Sequence, residues 1–252
     1  MTTVKDILDF FEELAPVDLA MDFDNCGLLA GNKYREISRV LLSLDITPEV
    51  VLEAVENGCE LIISHHPVIF QPLKRLDEGS APYLLAKHGI AAVCMHTNLD
   101  LSESFGVNLC LAEAIGAKNV RKSAIGECLF TGELEHELPA EVFAAMVKKA
   151  LGCEGLRYTC AKPAVKTVAV SSGSGGGEIF AAAAEGADVL VTGEIKHHEI
   201  NAANELGVNI IDAGHFKSED VVILPLKKRL SECFPAIIFT KSKNYSDKVK
   251  YL

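Results

Sequence analysis

The feature that most constrains the fold is a repeat. Arg39-Val-Leu-Leu-Ser-Leu-Asp45 and Thr167-Val-Ala-Val-Ser-Ser-Gly173 stand 128 positions apart, and each is an apolar run followed by a helical stretch. Gly58-Cys-Glu-Leu-Ile-Ile-Ser64 and Gly186-Ala-Asp-Val-Leu-Val-Thr192 match at the same offset. At an offset of 118, Gly89-Ile-Ala-Ala-Val-Cys-Met-His96 matches Gly207-Val-Asn-Ile-Ile-Asp-Ala-Gly-His215 to within one residue. Short continuous apolar runs suit strands covered on both faces, and strand–helix alternation calls for parallel pairing through right-handed crossovers. The pattern predicts an α/β fold of two related domains from internal duplication, mainly parallel sheets flanked by helices. The boundary falls near residue 124, giving 1–124 and 125–252. With 252 residues, 49% of them apolar, the chain can bury two modest cores.

Local signals fill in the elements. Thr3 to Leu14 reads as an amphipathic helix with a capping-box start at Thr3 and Asp6. Further helices are expected over 48–57 with Pro at the first turn, 82–87 closed by Gly89, 107–115, 141–150 and 178–185. Ala236-Ile-Ile-Phe-Thr240 reads as the strand that closes the second half.

Net charge −11 argues against a surface built to neutralise the phosphates of nucleic acid. Eight cysteines form no C-x-x-C pair, which excludes zinc-finger and thioredoxin readings and suits a reducing, cytoplasmic setting. No signal peptide or membrane-spanning stretch is expected.

Ligands collect at the carboxyl ends of strands in open α/β sheets, and three strand ends here carry unusual side chains. The first delivers His65 and His66, whose exit is held extended by Pro67. The second delivers His96-Thr-Asn-Leu-Asp100, and the third delivers His215, four residues before Glu219. On a helix starting at residue 214 or 215, His215 and Glu219 share one face. Any one of these histidines read singly is an ordinary loop or core residue. Together His65, His66, Asp100, His215 and Glu219 exceed what one tetrahedral ion needs, and their mixed N/O chemistry suits zinc, iron or manganese. Such a set fits two divalent ions sharing a bridge.

His96 has three open roles: weak ligand, partner orienting Asp100, or catalytic general acid. The Ser171–Gly177 run is a tight turn or a phosphate cradle, without the spacing of either standard phosphate-binding motif. His197 and His198 sit near the second-half counterpart of the first histidine pair, as ligand neighbours or as an exposed pair.

Ser64-His-His-Pro-Val-Ile-Phe-Gln-Pro-Leu-Lys-Arg-Leu76, His96-Thr-Asn-Leu-Asp100, Thr192-Gly-Glu194 and Gly214-His-Phe-Lys-Ser-Glu219 together resemble the NIF-three-like family, whose bacterial members are commonly labelled GTP cyclohydrolase 1 type 2 homologues. Asp24-Asn-Cys-Gly-Leu28 is similar to an early element of that family. The resemblance implies a dinuclear metal site in the cleft between the domains, with His65, His66, Asp100, His215 and Glu219 as ligands. It also implies a ring-shaped homohexamer built as a trimer of dimers. A hydrolase of a nucleotide-like small molecule is the activity it suggests, against the alternative of a non-catalytic metal-binding or regulatory ring. Two departures stand out. Phe23 replaces a usual Trp, and the Leu129–Leu134 element lacks the usual Arg.

Overall fold

In the computed structural model, which describes residues 1–252, the chain opens with helix α1, Val4–Leu14. Its apolar residues recur every three or four positions, so Val4, Ile7, Phe11 and Leu14 share the buried face. The Asp6 carboxylate accepts the Thr3 backbone N–H at 2.7 Å and closes the first turn. There follow β1 (Gly27–Ala30), β2 (Arg39–Ser43), α2 (Pro48–Glu56), β3 (Leu61–Ser64), α3 (Ala81–His88), β4 (Ala91–Cys94) and the short α4 (Thr97–Leu101). Thr47 caps α2 and Pro48 fills its first turn, while Gly89, at φ 64°, ends α3 in the left-handed region. The chain continues through α5 (Val107–Ala114), β5 (Lys118–Lys122), β6 (Phe130–Pro139), α6 (Ala140–Ala150), β7 (Arg157–Tyr158) and β8 (Ala164–Ser171). It ends with α7 (Ile179–Ala184), β9 (Val189–Thr192), α8 (His197–Leu206), β10 (Asn209–Asp212), α9 (His215–Asp220), α10 (Ile223–Cys233) and β11 (Ile238–Lys241).

The strands form two sheets, ordered β1-β4-β3-β2-β11 and β5-β6-β8-β9-β10-β7. In the first, β11, β2, β3 and β4 run parallel and only β1 is antiparallel. In the second, the repeated trio β8-β9-β10 is parallel, whereas β5, β6 and β7 add antiparallel pairings. The short connection from β5 to β6 permits only that direction.

The duplication shows in the register. Val40 opposite Leu61 recurs as Val168 opposite Val189, and Leu61 opposite Ala91 recurs as Val189 opposite Asn209. A carboxylate recurs with it. Glu60 accepts the Ser38 and Arg39 backbone N–H groups, both at 2.9 Å. Asp188, its counterpart, accepts those of Lys166 at 3.0 Å and Thr167 at 2.9 Å. Each ties the start of one strand to the loop that begins the next.

The apolar runs are continuous because both sheet faces are covered. On the second sheet Val168 and Val170 pack with Phe143 and Val147 of α6, while Ala169 joins Leu190, Ile179 and Ala203 on the other side. Leu41, Ile62 and Ala92 of the first sheet pack with Val50, Val51 and Leu85.

One expectation needs correcting. Ala236–Thr240 was to close the second half, but β11 pairs in parallel with β2, Ile238 opposite Arg39. Accordingly the chain divides into compact units that interleave: Met1–Phe105 with Ile223–Ser246, and Gly106–Val222 with Asp247–Leu252. A single boundary near residue 124 does not describe that division. In the second sheet β8 and β10 already have β6 and β7 on their outer sides, whereas Val40, Leu41 and Leu42 of β2 need cover on the side away from β3. Helix α10, through buried Leu226 and Leu230, packs on β2 and β11 and carries the chain back. No helix is long and apolar enough to cross a membrane.

Candidate metal centre

Strand β3 ends at Ser64, and its exit is held by two hydrogen bonds. The His66 N–H donates to the Leu44 carbonyl at 2.9 Å, and the Ser64 hydroxyl donates to the His66 carbonyl at 2.8 Å. His65 is buried, with Nδ1 2.8 Å from the Met95 carbonyl. A carbonyl only accepts, so Nδ1 carries the proton and Nε2 is the nitrogen suited to a cation. His66 sets Nδ1 3.0 Å from Asp45 Oδ1, and His96 sets Nδ1 2.8 Å from Asp24 Oδ1. The three rings lie 5.1, 5.2 and 5.6 Å apart between centroids, and one nitrogen of each falls within 4.8 Å of the others. Asp100, buried on α4, brings Oδ1 to 3.6 Å from His65 Nε2.

Asp24 ties this group together. Its second oxygen accepts the Thr97 backbone N–H at 3.0 Å and the Thr97 hydroxyl at 2.5 Å. Burial opposes its ionisation, yet hydrogen bonds from His96, Thr97 and Cys26 outweigh that and hold the carboxyl well below the usual range.

In the other unit, β10 ends at Asp212, and Gly214, at φ 87°, turns the chain into α9. His215 and Glu219 share a helix face as the spacing predicts, with Nε2 3.0 Å from Oε2. His215 Nδ1 lies 2.9 Å from Glu194 Oε1, and the Ser174 hydroxyl donates to Glu194 Oε2 at 2.6 Å. The Ser174 bond, acting against partial burial and joined by His215, lowers the Glu194 pKa.

The glycine-rich Ser171–Gly177 run packs directly on this helix. A Cβ at Gly173, which has φ +57°, would sit 2.1 Å from Glu219 Oε1, and one at Gly193 would sit 2.4 Å from Ser218 Oγ. With the carboxylates of Glu219, Glu194 and Glu199 against it, this loop is a close-packed turn.

Of the residues singled out in the sequence, His65, His66, His96 and Asp100 come together in one unit, and His215 and Glu219 in the other. His197 and His198 begin α8, are exposed, and join neither group. Sequence reasoning passed over Asp45, the carboxylate on Nδ1 of His66; it named Glu194 within a motif but not as the partner of His215, and it did not assign Asp24 to His96. A partial signal existed, since Glu194 is the repeat counterpart of His66.

Fold and site together define an α/β protein with imidazole and carboxylate groups at strand ends that can hold a metal ion. More particularly, the chain belongs to the DUF34/NIF3 (NGG1p interacting factor 3) family, whose model matches residues 2–247. It is 33% identical over 261 residues to a Clostridium perfringens protein named GTP cyclohydrolase 1 type 2 homolog, covering 99% of each. A Campylobacter jejuni protein of the same name is 36% identical over 247 residues, covering 96% of this chain and 97% of its own length. Among solved structures, a Staphylococcus aureus protein superposes with TM-score 0.91 at 30% identity over 99% of both chains. Reduced HcgD from Methanocaldococcus jannaschii does so with TM-score 0.82 at 29% identity, over 96% of this chain and 98% of its own.

Proposed function

We propose that this protein is a metal-dependent hydrolase of a nucleotide-like small molecule. His65, His66, Asp100, His215 and Glu219 hold two divalent cations, zinc, iron or manganese, and the chain works as a cytoplasmic ring-shaped homohexamer. The observation that carries this reading is the commitment of Nδ1 in all three ligand imidazoles, to the Met95 carbonyl, to Asp45 and to Glu194. Metal-binding histidines are oriented in this way by an oxygen behind the ring. The name shared by the Clostridium and Campylobacter relatives supports the nucleotide class.

When bound, such cations act as Lewis acids on water and on the bond to be cleaved. His96 moves the proton to the leaving group through Nε2, because Asp24 holds its Nδ1. The second reading, a non-catalytic metal-binding protein, is favoured by the placing of a His96 nitrogen within 4.8 Å of those of His65 and His66, where it can serve as one more ligand.

Elemental analysis of protein purified without added metal, followed by a nucleotide panel with that metal restored, tests the proposal. About two divalent ions per chain and hydrolysis that vanishes in Glu219→Ala support it. Hydrolysis that survives both metal stripping and Glu219→Ala overturns it. His96→Gln separates the two readings: retained metal with lost turnover assigns proton transfer, and lost metal assigns coordination.

A further inference from the structure

Two exposed phenyl rings adjoin the imidazole group. Phe70 lies 6.3 Å from His96 between ring centroids at an interplanar angle of 84°, and Phe23 lies 6.3 Å from Phe70 at 57°. Their relative exposures, 43% for Phe70 and 59% for Phe23, are large for rings of this size. Isolated exposed apolar residues need no explanation, but two in contact beside a polar cluster offer a flat ring a surface to pack on. The loops carrying them are joined, since the Asn25 side-chain amide donates to the Ile69 carbonyl at 2.5 Å. The phenyls are therefore held as a pair at the edge of the cluster.

We infer that Phe70 and Phe23 are the specificity-determining shelf that holds the substrate's flat heteroaromatic ring, one phenyl against its face and the other against its edge, and directs its scissile end toward His96. This rests on the reading of the histidine group as a reaction centre. With the two phenyl planes 57° apart, a purine lies face to face on one ring and meets the other with its edge, and base–aromatic stacking is tolerant of base identity because every base has a π-face. The shelf thus selects for a ring without choosing which ring. The phosphates, if present, contribute separately.

Calorimetric titration of the metal-loaded protein with GTP, ATP and inorganic tripolyphosphate tests this. Both purine nucleotides are expected to bind tighter than tripolyphosphate. Phe70→Ala and Phe23→Ala should each weaken the nucleotides about tenfold while tripolyphosphate binding stays the same. Phe70→Tyr, which keeps the π-face, should restore most of the loss. Equal affinity for nucleotides and tripolyphosphate, no nucleotide binding at all, or variants indistinguishable from the parent would each overturn the inference. So would a change in oligomer mass in Phe23→Ala, which would assign the rings to contact between copies. Metal content measured on the same samples separates the failures. Absent metal defeats the hydrolase reading, and present metal with ring-independent binding defeats the shelf alone.

Discussion

Asp45 and Glu194 do for His66 and His215 what the Met95 carbonyl does for His65. Each occupies Nδ1, so the ring keeps one orientation and one tautomer. An anionic partner also raises the electron density at the opposite nitrogen. In Asp45→Ala the ring of His66 loses both effects while the fold is kept, because Asp45 is partly exposed at the end of a strand. Metal affinity should fall about 10- to 100-fold, measured by competition with a chromogenic chelator. Unchanged affinity would mean that His66 is oriented by other contacts.

At the scale of the element, the repeated carboxylate is the instructive feature. Asp188 holds two backbone N–H groups at the start of β8 and the Lys162 ammonium at 2.9 Å. Burial opposes its charge, but the bonds from Thr167, Lys162 and Lys166 outweigh burial and lower its pKa below the usual 3.8. A lowered native pKa means that the unfolded state binds the proton more readily, so stability falls as the solution is acidified. The contribution is fully present above the ordinary aspartate value and is lost as pH drops through the native one. Asp188→Asn should cost about 1–2 kcal/mol at pH 7 in urea unfolding, and the gap should narrow only as the pH falls below the ordinary aspartate value of 3.8. A pH-independent gap would assign the effect to packing. Glu60, the counterpart in the first sheet, has a lowered pKa for the same reason, with hydrogen bonds from Ser38 and Arg39 outweighing burial.

At the scale of the whole molecule, the path of the chain matters most. It leaves the first unit after Phe105, builds the second through Val222, and returns with α10 and β11 to complete the first sheet. Phe239 is buried on β11, opposite Val40. Phe239→Ala should destabilise the chain by about 3–5 kcal/mol through lost burial and the cavity left behind. Hydrogen exchange should rise in β2 and β3 more than in β8 and β9, although residue 239 follows the second unit in sequence. Exchange rising first in β8 and β9 would contradict the pairing.

The repeat, the strand–helix alternation and the histidines at strand ends were all legible in the residues, because periodicity and capping report local burial and local backbone direction. The His215–Glu219 pair was legible for the same reason, since four residues make one helical turn. The pairing of β11 with β2 was not, nor were the carboxylates behind the imidazoles. An apolar pentapeptide suits any open sheet edge, and Asp24 meets His96 across 72 positions that no periodic pattern links. Sequence thus determined which segments of the repeat become strands and which side chains they deliver, though not β6 or β7, which lie outside the repeat. The tertiary structure alone decided which edge the last strand covers and which oxygen stands behind each ring, because both depend on what lies adjacent in space after the chain has turned back on itself.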